Sequence, residues 1–188
     1  MPKTAPRPPT TPRQEGATVW LTGLPSSGKT TVATALERRL AGRRVQILDG
    51  DELRPVLSPG LGFSRQDRHA NVQRVGLVAD LLSRHGVLTL VPVIAPYADA
   101  RTAVRERHER SGTPYLEVHV AAPVEVCAGR DVKGLYAGQR AGKVRGLTGA
   151  DDPYEVPEAP DLVLDTHCQS VDESVAALCG LLTTRGLI

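Results

Sequence analysis

The run Gly23-Leu24-Pro25-Ser26-Ser27-Gly28-Lys29-Thr30 constrains this chain more than any other feature. It satisfies G-x-x-x-x-G-K-[S/T] in full, follows the apolar stretch Val19-Trp20-Leu21-Thr22, and leads into Gly28–Leu40, where Val32, Ala33, Leu36 and Leu40 share one helical face. Strand, glycine-rich turn and helix in that order make a phosphate cradle. The glycines let successive backbone N–H groups turn inward, and the helix start adds a positive dipole end. Lys29 is the residue type that reaches the β- and γ-phosphates, and Thr30 offers a hydroxyl to Mg²⁺. A nucleoside triphosphate with magnesium is the expected ligand; the motif says nothing of the acceptor.

The rest of the chain repeats the alternation. Strands are expected at Thr18–Thr22, Val45–Leu48, Val87–Ile94, Tyr115–Val120 and Asp161–Leu164, all short, apolar and rich in β-branched residues. Helical patterns lie at Asn71–His85, Ala100–Glu109 and Asp172–Leu182. This predicts an α/β protein of three layers, a central five-stranded parallel sheet flanked by helices, with ligands at the carboxyl ends of the strands. Pro55–Arg68 and Lys133–Pro160 fit neither pattern and are expected to be mobile lid loops. Residues 1–16 hold five of the 15 prolines and are expected to be a disordered tail before a single domain, 17–188.

Composition narrows function by exclusion. Aromatic residues make up only 3%, which argues against a base-stacking platform for single strands. The net charge of +2 is matched by Lys3, Arg7 and Arg13 against Glu15, so the remainder is balanced and offers no field for nucleic acid or a membrane surface. Three cysteines without paired spacing suit neither a disulfide framework nor a zinc site. The N-terminus lacks the apolar core of a secretory signal, and a cytoplasmic location is expected.

Three further segments carry chemistry. Asp49-Gly50-Asp51 follows the second strand, beside the cradle; one carboxylate is a candidate for metal or its waters, the other for the proton of an attacking hydroxyl. Arg68, Asn71 and Arg74, at i, i+3 and i+6, suit an anionic group with a polar edge. Arg130 and Lys133 follow the fourth strand and its helix, where Arg130 could stack on a purine and Lys133 neutralise a transferring phosphate. The five histidines form no ligand spacing and are read as structural.

In order along the chain, TVWLTGLPSSGKTT, ILDGDELR, LGFSRQDRHANVQR, IAPYADAR, CAGRDVKGLY, LTGADDPYE and DLVLDT closely resemble the adenylylsulfate kinase (APS kinase) family over about Thr18 to Thr166. The resemblance implies a nucleotide-kinase-like fold, a homodimer, a possible sulfurylase partner, and Mg-ATP-dependent phosphorylation of the 3′-hydroxyl of adenosine 5′-phosphosulfate to give 3′-phosphoadenosine 5′-phosphosulfate (PAPS). It implies ATP contacts from Gly23, Leu24, Pro25, Ser26, Ser27, Gly28, Lys29, Thr30, Thr31, Arg130 and Thr166. It implies acceptor contacts from Asp51, Arg54, Phe63, Arg68, Asn71, Arg74, Ile94, Ala95, Lys133, Gly134, Leu135, Leu147 and Thr148. Lys29, Asp51 and Lys133 would act in catalysis, with Asp51 the base, and Thr30 and Asp49 would serve the metal. The chain departs from the family pattern at Glu52, Pro55, Ala70 and Gln73. Ala95 replaces a phosphorylatable serine, so transfer is expected to be direct. Leu147 replaces a phenylalanine, and Leu147→Phe is therefore expected to tighten acceptor binding. Another P-loop metabolite kinase, or a nucleotide-binding module without catalysis, are the alternative readings.

Overall fold

The computed structural model describes residues 15–188. The expected tail falls mostly outside the described residues. Its last residue, Gly16, is buried against the backbone of Ser83 and Val87, so the fold already begins there.

Five strands, β1 (Ala17–Thr22), β2 (Val45–Ile47), β3 (Leu88–Pro92), β4 (Tyr115–Ala121) and β5 (Leu162–Asp165), form one parallel sheet in the order β2-β3-β1-β4-β5. β1 lies at the centre, pairing Ala17 with Leu88 of β3 and Thr18 with Tyr115 of β4. It is buried on both faces, which explains its continuous apolar run. The chain runs from β1 to one edge and later to the other, so the switch of direction opens a crevice at the carboxyl end of β1.

Seven helices cover the sheet among the described residues: α1 (Lys29–Arg39), α2 (Gly50–Leu57), α3 (Arg65–Arg84), α4 (Ala98–Ser111), α5 (Val124–Arg130), α6 (Leu135–Arg140) and α7 (Val171–Thr184). On one face, Val32 and Leu36 of α1 and Leu178 and Leu182 of α7 pack on Val19, Leu21 and Leu90. On the other, Val72, Val75 and Ala79 of α3 and Val104 of α4 pack on Trp20 and Val91. Each fully buried leucine or valine contributes about 1.5–3 kcal/mol. A third, small cluster of Cys127, Tyr136 and Leu147 sits under the loop after α6, with Leu24 against it. A Cβ on Gly76 would lie 2.6 Å from Val104 Cγ2, so that glycine lets α3 and α4 approach.

The two expected lids are more regular than their composition indicated. α2 continues through Pro55 to Leu57; it buries no residue fully, but Leu53 and Leu57, at i and i+4, are half-buried against the Trp20 cluster. α3 starts at Arg65, where the Ser64 hydroxyl accepts from the Asp67 amide. α6 lies inside the second stretch, with Tyr136 buried. The predicted third strand is shortened because Ile94 to Pro96 leave the sheet around Ala95, whose φ is +42°. The predicted structural role of the histidines holds for His108. It is buried between Thr18 Oγ1 (2.8 Å) and the Val104 carbonyl (2.8 Å), and burial lowers its pKa.

Candidate active site

The cradle sits where β1 meets α1. A Cβ on Gly23 would lie 2.4 Å from the Val120 carbonyl oxygen, so only glycine lets the loop pack on β4. Gly28 takes φ +101°, in the left-handed region, and turns the chain into α1. Lys29 is 8% exposed and donates to the carbonyls of Gly23 (3.0 Å) and Leu24 (2.6 Å). Burial pushes its pKa down to about 7. Neutral carbonyls are weak partners for an ammonium; an anion in the cradle would be a strong one.

Two carboxylates follow β2. Asp49 caps α2, its Oδ1 accepting from the Asp51 amide at 2.9 Å, while its Oδ2 accepts from Thr30 Oγ1 at 2.8 Å. Among the described residues no cluster of three or more His, Cys, Asp or Glu side chains gathers for a metal. The Thr30–Asp49 pair instead offers two hard oxygens beside a phosphate cradle. That donor set fits Mg²⁺, which typically takes one or two protein groups and completes its shell with substrate phosphates and waters. Asp51 projects into the cleft and is ion-paired to Lys133, which reaches over from the turn between α5 and α6.

Lys29, Thr30, Asp51 and Lys133 line one cleft of about 440 Å³, with Asp49 buried behind Thr30. Its β3 wing is formed by Arg54, Phe63, Arg68, Asn71, Ile94 and Ala95. Phe63 is 61% exposed, with the Arg54 guanidinium 4.5 Å from its ring centre. Asn71 lines the cleft and is 8% exposed, and its buried Oδ1 has no hydrogen-bond partner among the described residues. The β5 wing is formed by Arg130, Leu135 and Thr166, with Lys133 between the wings. Pro25, Ser26, Gly28, Lys29, Thr30 and Thr31 make the floor.

Several expected site residues do other work. Gly23 and Ser27 lie beneath the cradle; the Ser27 carbonyl accepts from Thr166 Oγ1 (2.7 Å) and Arg130 Nη1 (3.4 Å). Arg130 also donates to the Thr166 carbonyl at 2.6 Å, so it fastens the cradle to β5 as well as lining the cleft. Arg74 is exposed and donates to the Leu57 carbonyl at 2.9 Å, outside the cleft. At 3.6 residues per turn, i and i+6 stand about 120° apart, so Arg68 and Arg74 cannot share one narrow face. Gly134 is the N-cap of α6 with φ +66° and does not line the cleft. Leu24 and Leu147 pack in the third cluster. Leu147 is 6% exposed and turned from the cleft because Gly146 and Gly149, both at positive φ, fold its loop onto Leu24. Thr148 is 1% exposed and bonded to Arg68, whose Nη1 donates to Thr148 Oγ1 at 3.0 Å. Arg68 also donates to the carbonyls of Phe63 (2.8 Å) and Gly146 (2.5 Å) and pairs with Asp152 at 3.2 Å. It ties the loop after α6 to α3.

Val132, Gln169, Val171 and Ser174 also line the β5 wing and escaped the sequence reading. Val132 is 80% and Val171 40% exposed; apolar residues in polar surroundings, beside Arg130, were the available signal.

The family model described as adenylylsulphate kinase matches residues 15–165. A probable adenylyl-sulfate kinase of Synechocystis is 49% identical over 168 residues, covering 88% of this chain and 93% of the relative. An adenylyl-sulfate kinase of Microcystis aeruginosa is 46% identical, covering 94% and 96%. The solved Mycobacterium tuberculosis APS kinase in complex with AMPPNP and APS is 44% identical with a TM-score of 0.87, covering 90% of this chain and 98% of that one.

Proposed function

The chain belongs to the adenylylsulphate kinase family, and on that premise we propose that it transfers the γ-phosphoryl group of ATP directly to the 3′-hydroxyl of adenosine 5′-phosphosulfate. The observation that carries the reading is one cleft lined by the Lys29 cradle, Thr30 and the Asp51 carboxylate, with Asp49 bonded to Thr30 behind it, Phe63 on one side and Arg130, Val132 and Leu135 on the other. Two nucleotides facing each other across a central phosphate site need that layout.

ATP lies along the β5 wing with its phosphates on the cradle. Lys29 leaves its carbonyl partners for the β- and γ-phosphates. Thr30 and Asp49 would hold Mg²⁺, which would supply charge neutralisation on the phosphate oxygens. The acceptor lies along the β3 wing, its adenine against Phe63 and its anionic groups toward Arg54. Asp51 takes the proton of the 3′-hydroxyl as that oxygen forms the new bond to γ-phosphorus and the bond to the β-bridging oxygen breaks. ADP and PAPS leave. Lys133, released from Asp51, neutralises charge on the group in transit. No phosphoenzyme forms at Ala95, because a methyl side chain offers no nucleophile. The homodimer and the sulfurylase partner belong to the same reading and rest on the family resemblance, while the cytoplasmic setting rests on three cysteines that form no disulfide; among the described residues no helix is long and apolar enough to cross a membrane.

The test is mass-spectrometric detection of PAPS from adenylylsulfate, ATP and Mg²⁺, with Asp51→Ala in parallel. Folded Asp51→Ala is expected to lose about 10²–10⁴ in kcat. Near-normal kcat removes Asp51 from the base role, and no PAPS from the wild type removes the proposal.

A further inference from the structure

The segment Ile94-Ala95-Pro96 lines the cleft on its β3 wing, yet it belongs to no strand or helix. Ala95 holds φ +42°, in the left-handed region that side chains with a Cβ rarely occupy. Such a conformation persists only where the surroundings over-determine it. Here they do: the three consecutive carbonyls each accept a hydrogen bond from a different part of the chain. Ile94 accepts from Thr22 Oγ1 of β1 at 2.6 Å. Ala95 accepts from Arg101 Nη1 of α4 at 2.8 Å, and Pro96 from the Glu155 amide at 2.8 Å.

Arg101 is the common element. Its guanidinium is 3% exposed and all three nitrogens are engaged. Nη1 holds Ala95, Nη2 donates to the Glu155 carbonyl at 2.8 Å, and Nε pairs with Glu117 Oε1 of β4 at 2.6 Å. The Glu155 backbone therefore bridges Pro96, to which its N–H donates, and Arg101, from which its carbonyl accepts. The Glu155 side chain takes the Ala98 amide at 2.7 Å, at the start of α4, where the N-cap Tyr97 supplies no side-chain cap. A buried arginine is costly unless every donor has a partner, and a lysine cannot span three acceptors in one plane. The arrangement is a rigid bracket between the sheet, the cleft wall and the chain leading back from the loop after α6.

We propose that Arg101 is a positioning residue for the acceptor nucleotide. It touches no reacting atom. Through the Ala95 carbonyl it fixes the wall against which adenylylsulfate is held, and through Glu155 it locks that wall to the segment approaching β5. This rests on the functional reading above, in which the β3 wing takes the acceptor. Among the described residues, Arg130, Leu135 and Thr166 of the β5 wing, which takes ATP, make no hydrogen bond to Arg101, Glu117 or Glu155.

Arg101→Lys keeps the charge beside Glu117 and removes the fork. The expected result is a rise of about tenfold or more in KM for adenylylsulfate, with KM for ATP and the Kd of a non-hydrolysable ATP analogue changed less than about twofold. Amide hydrogen exchange should quicken at Glu155 and Ala98 and stay unchanged in the cradle. Equal losses for both nucleotides, or no change for either, would overturn the proposal. If Arg101→Lys does not fold, Glu117→Gln loosens the same guanidinium from its other side and is read by the same criteria. A wild type that turns over no adenylylsulfate would defeat the functional reading instead, and the exchange data alone would then decide whether Arg101 holds the wall.

Discussion

Thr30 and Asp49 meet at 2.8 Å, hydroxyl to carboxylate, and join the first turn of α1 to the N-cap of α2. One side chain thus serves a helix terminus with Oδ1 and the magnesium-competent threonine with Oδ2. Asp49→Asn keeps an oxygen for the cap and removes the charge. It is expected to raise the Mg²⁺ concentration for half-maximal activity by about 10–100-fold with little loss of stability. Asp49→Ala loses the cap too and is expected to cost about 0.5–2 kcal/mol in addition. Magnesium titrations of activity, paired with denaturant unfolding, separate the two effects.

Lys29 makes nucleotide binding depend on pH. Burial holds its pKa at about 7 in the free protein. A bound triphosphate favours the ammonium and raises that value, so binding takes up a proton above pH 7. Affinity is full below about pH 7 and falls by up to roughly tenfold per unit above it, until the raised pKa is reached. Calorimetry of ATP binding at pH 8, repeated in buffers of different ionisation heat, should show net proton uptake, and Lys29→Met should abolish it. The same depressed value means that the unfolded chain binds more protons between pH 7 and the ordinary lysine range. This group's contribution to stability therefore rises with pH across that window.

Arg68 is expected to hold the loop after α6 in place. Its bonds to Thr148, Gly146 and Asp152 span about 80 positions of sequence. Arg68→Ala leaves the buried Thr148 hydroxyl without that partner, at a cost of about 1–3 kcal/mol. Amide exchange at Gly149 to Asp152 should accelerate well beyond that of the sheet, and a lowered Tm should accompany it. Unchanged exchange there would mean that the loop is held by its own turn bonds.

Leu147→Phe is expected to destabilise the protein by about 1–3 kcal/mol, because it adds volume to a packed cluster of Cys127, Tyr136 and Leu24. Acceptor affinity should not improve. The family pattern alone leads to the opposite expectation, tighter acceptor binding, so one pair of measurements, Tm and the Kd for adenylylsulfate, decides between them.

The cradle and the sheet were legible because their signals are local. Gly23 and Gly28 sit where the backbone itself demands glycine, and the apolar periods of β1, α1 and α3 report burial directly. α2 was invisible because it is short, carries Pro55 in its interior and half-buries only Leu53 and Leu57. Arg68 and Arg74 looked equivalent in sequence, yet one is enclosed by a distant loop and the other lies on the surface.

By itself the sequence determined the phosphate chemistry, the α/β layering and the family, since each depends on residues within one strand, turn or helix. Only the tertiary structure decided that Leu147 supports the cradle from behind, that Arg130 ties Ser27 to Thr166, and that Arg101 brackets Ala95, Glu117 and Glu155. The physical reason is common to all three. A guanidinium or an apolar side chain takes its role from the partners that folding brings within a few ångströms, and in each case at least one of them, Leu24, Ser27 or Glu155, lies more than 50 residues away along the chain.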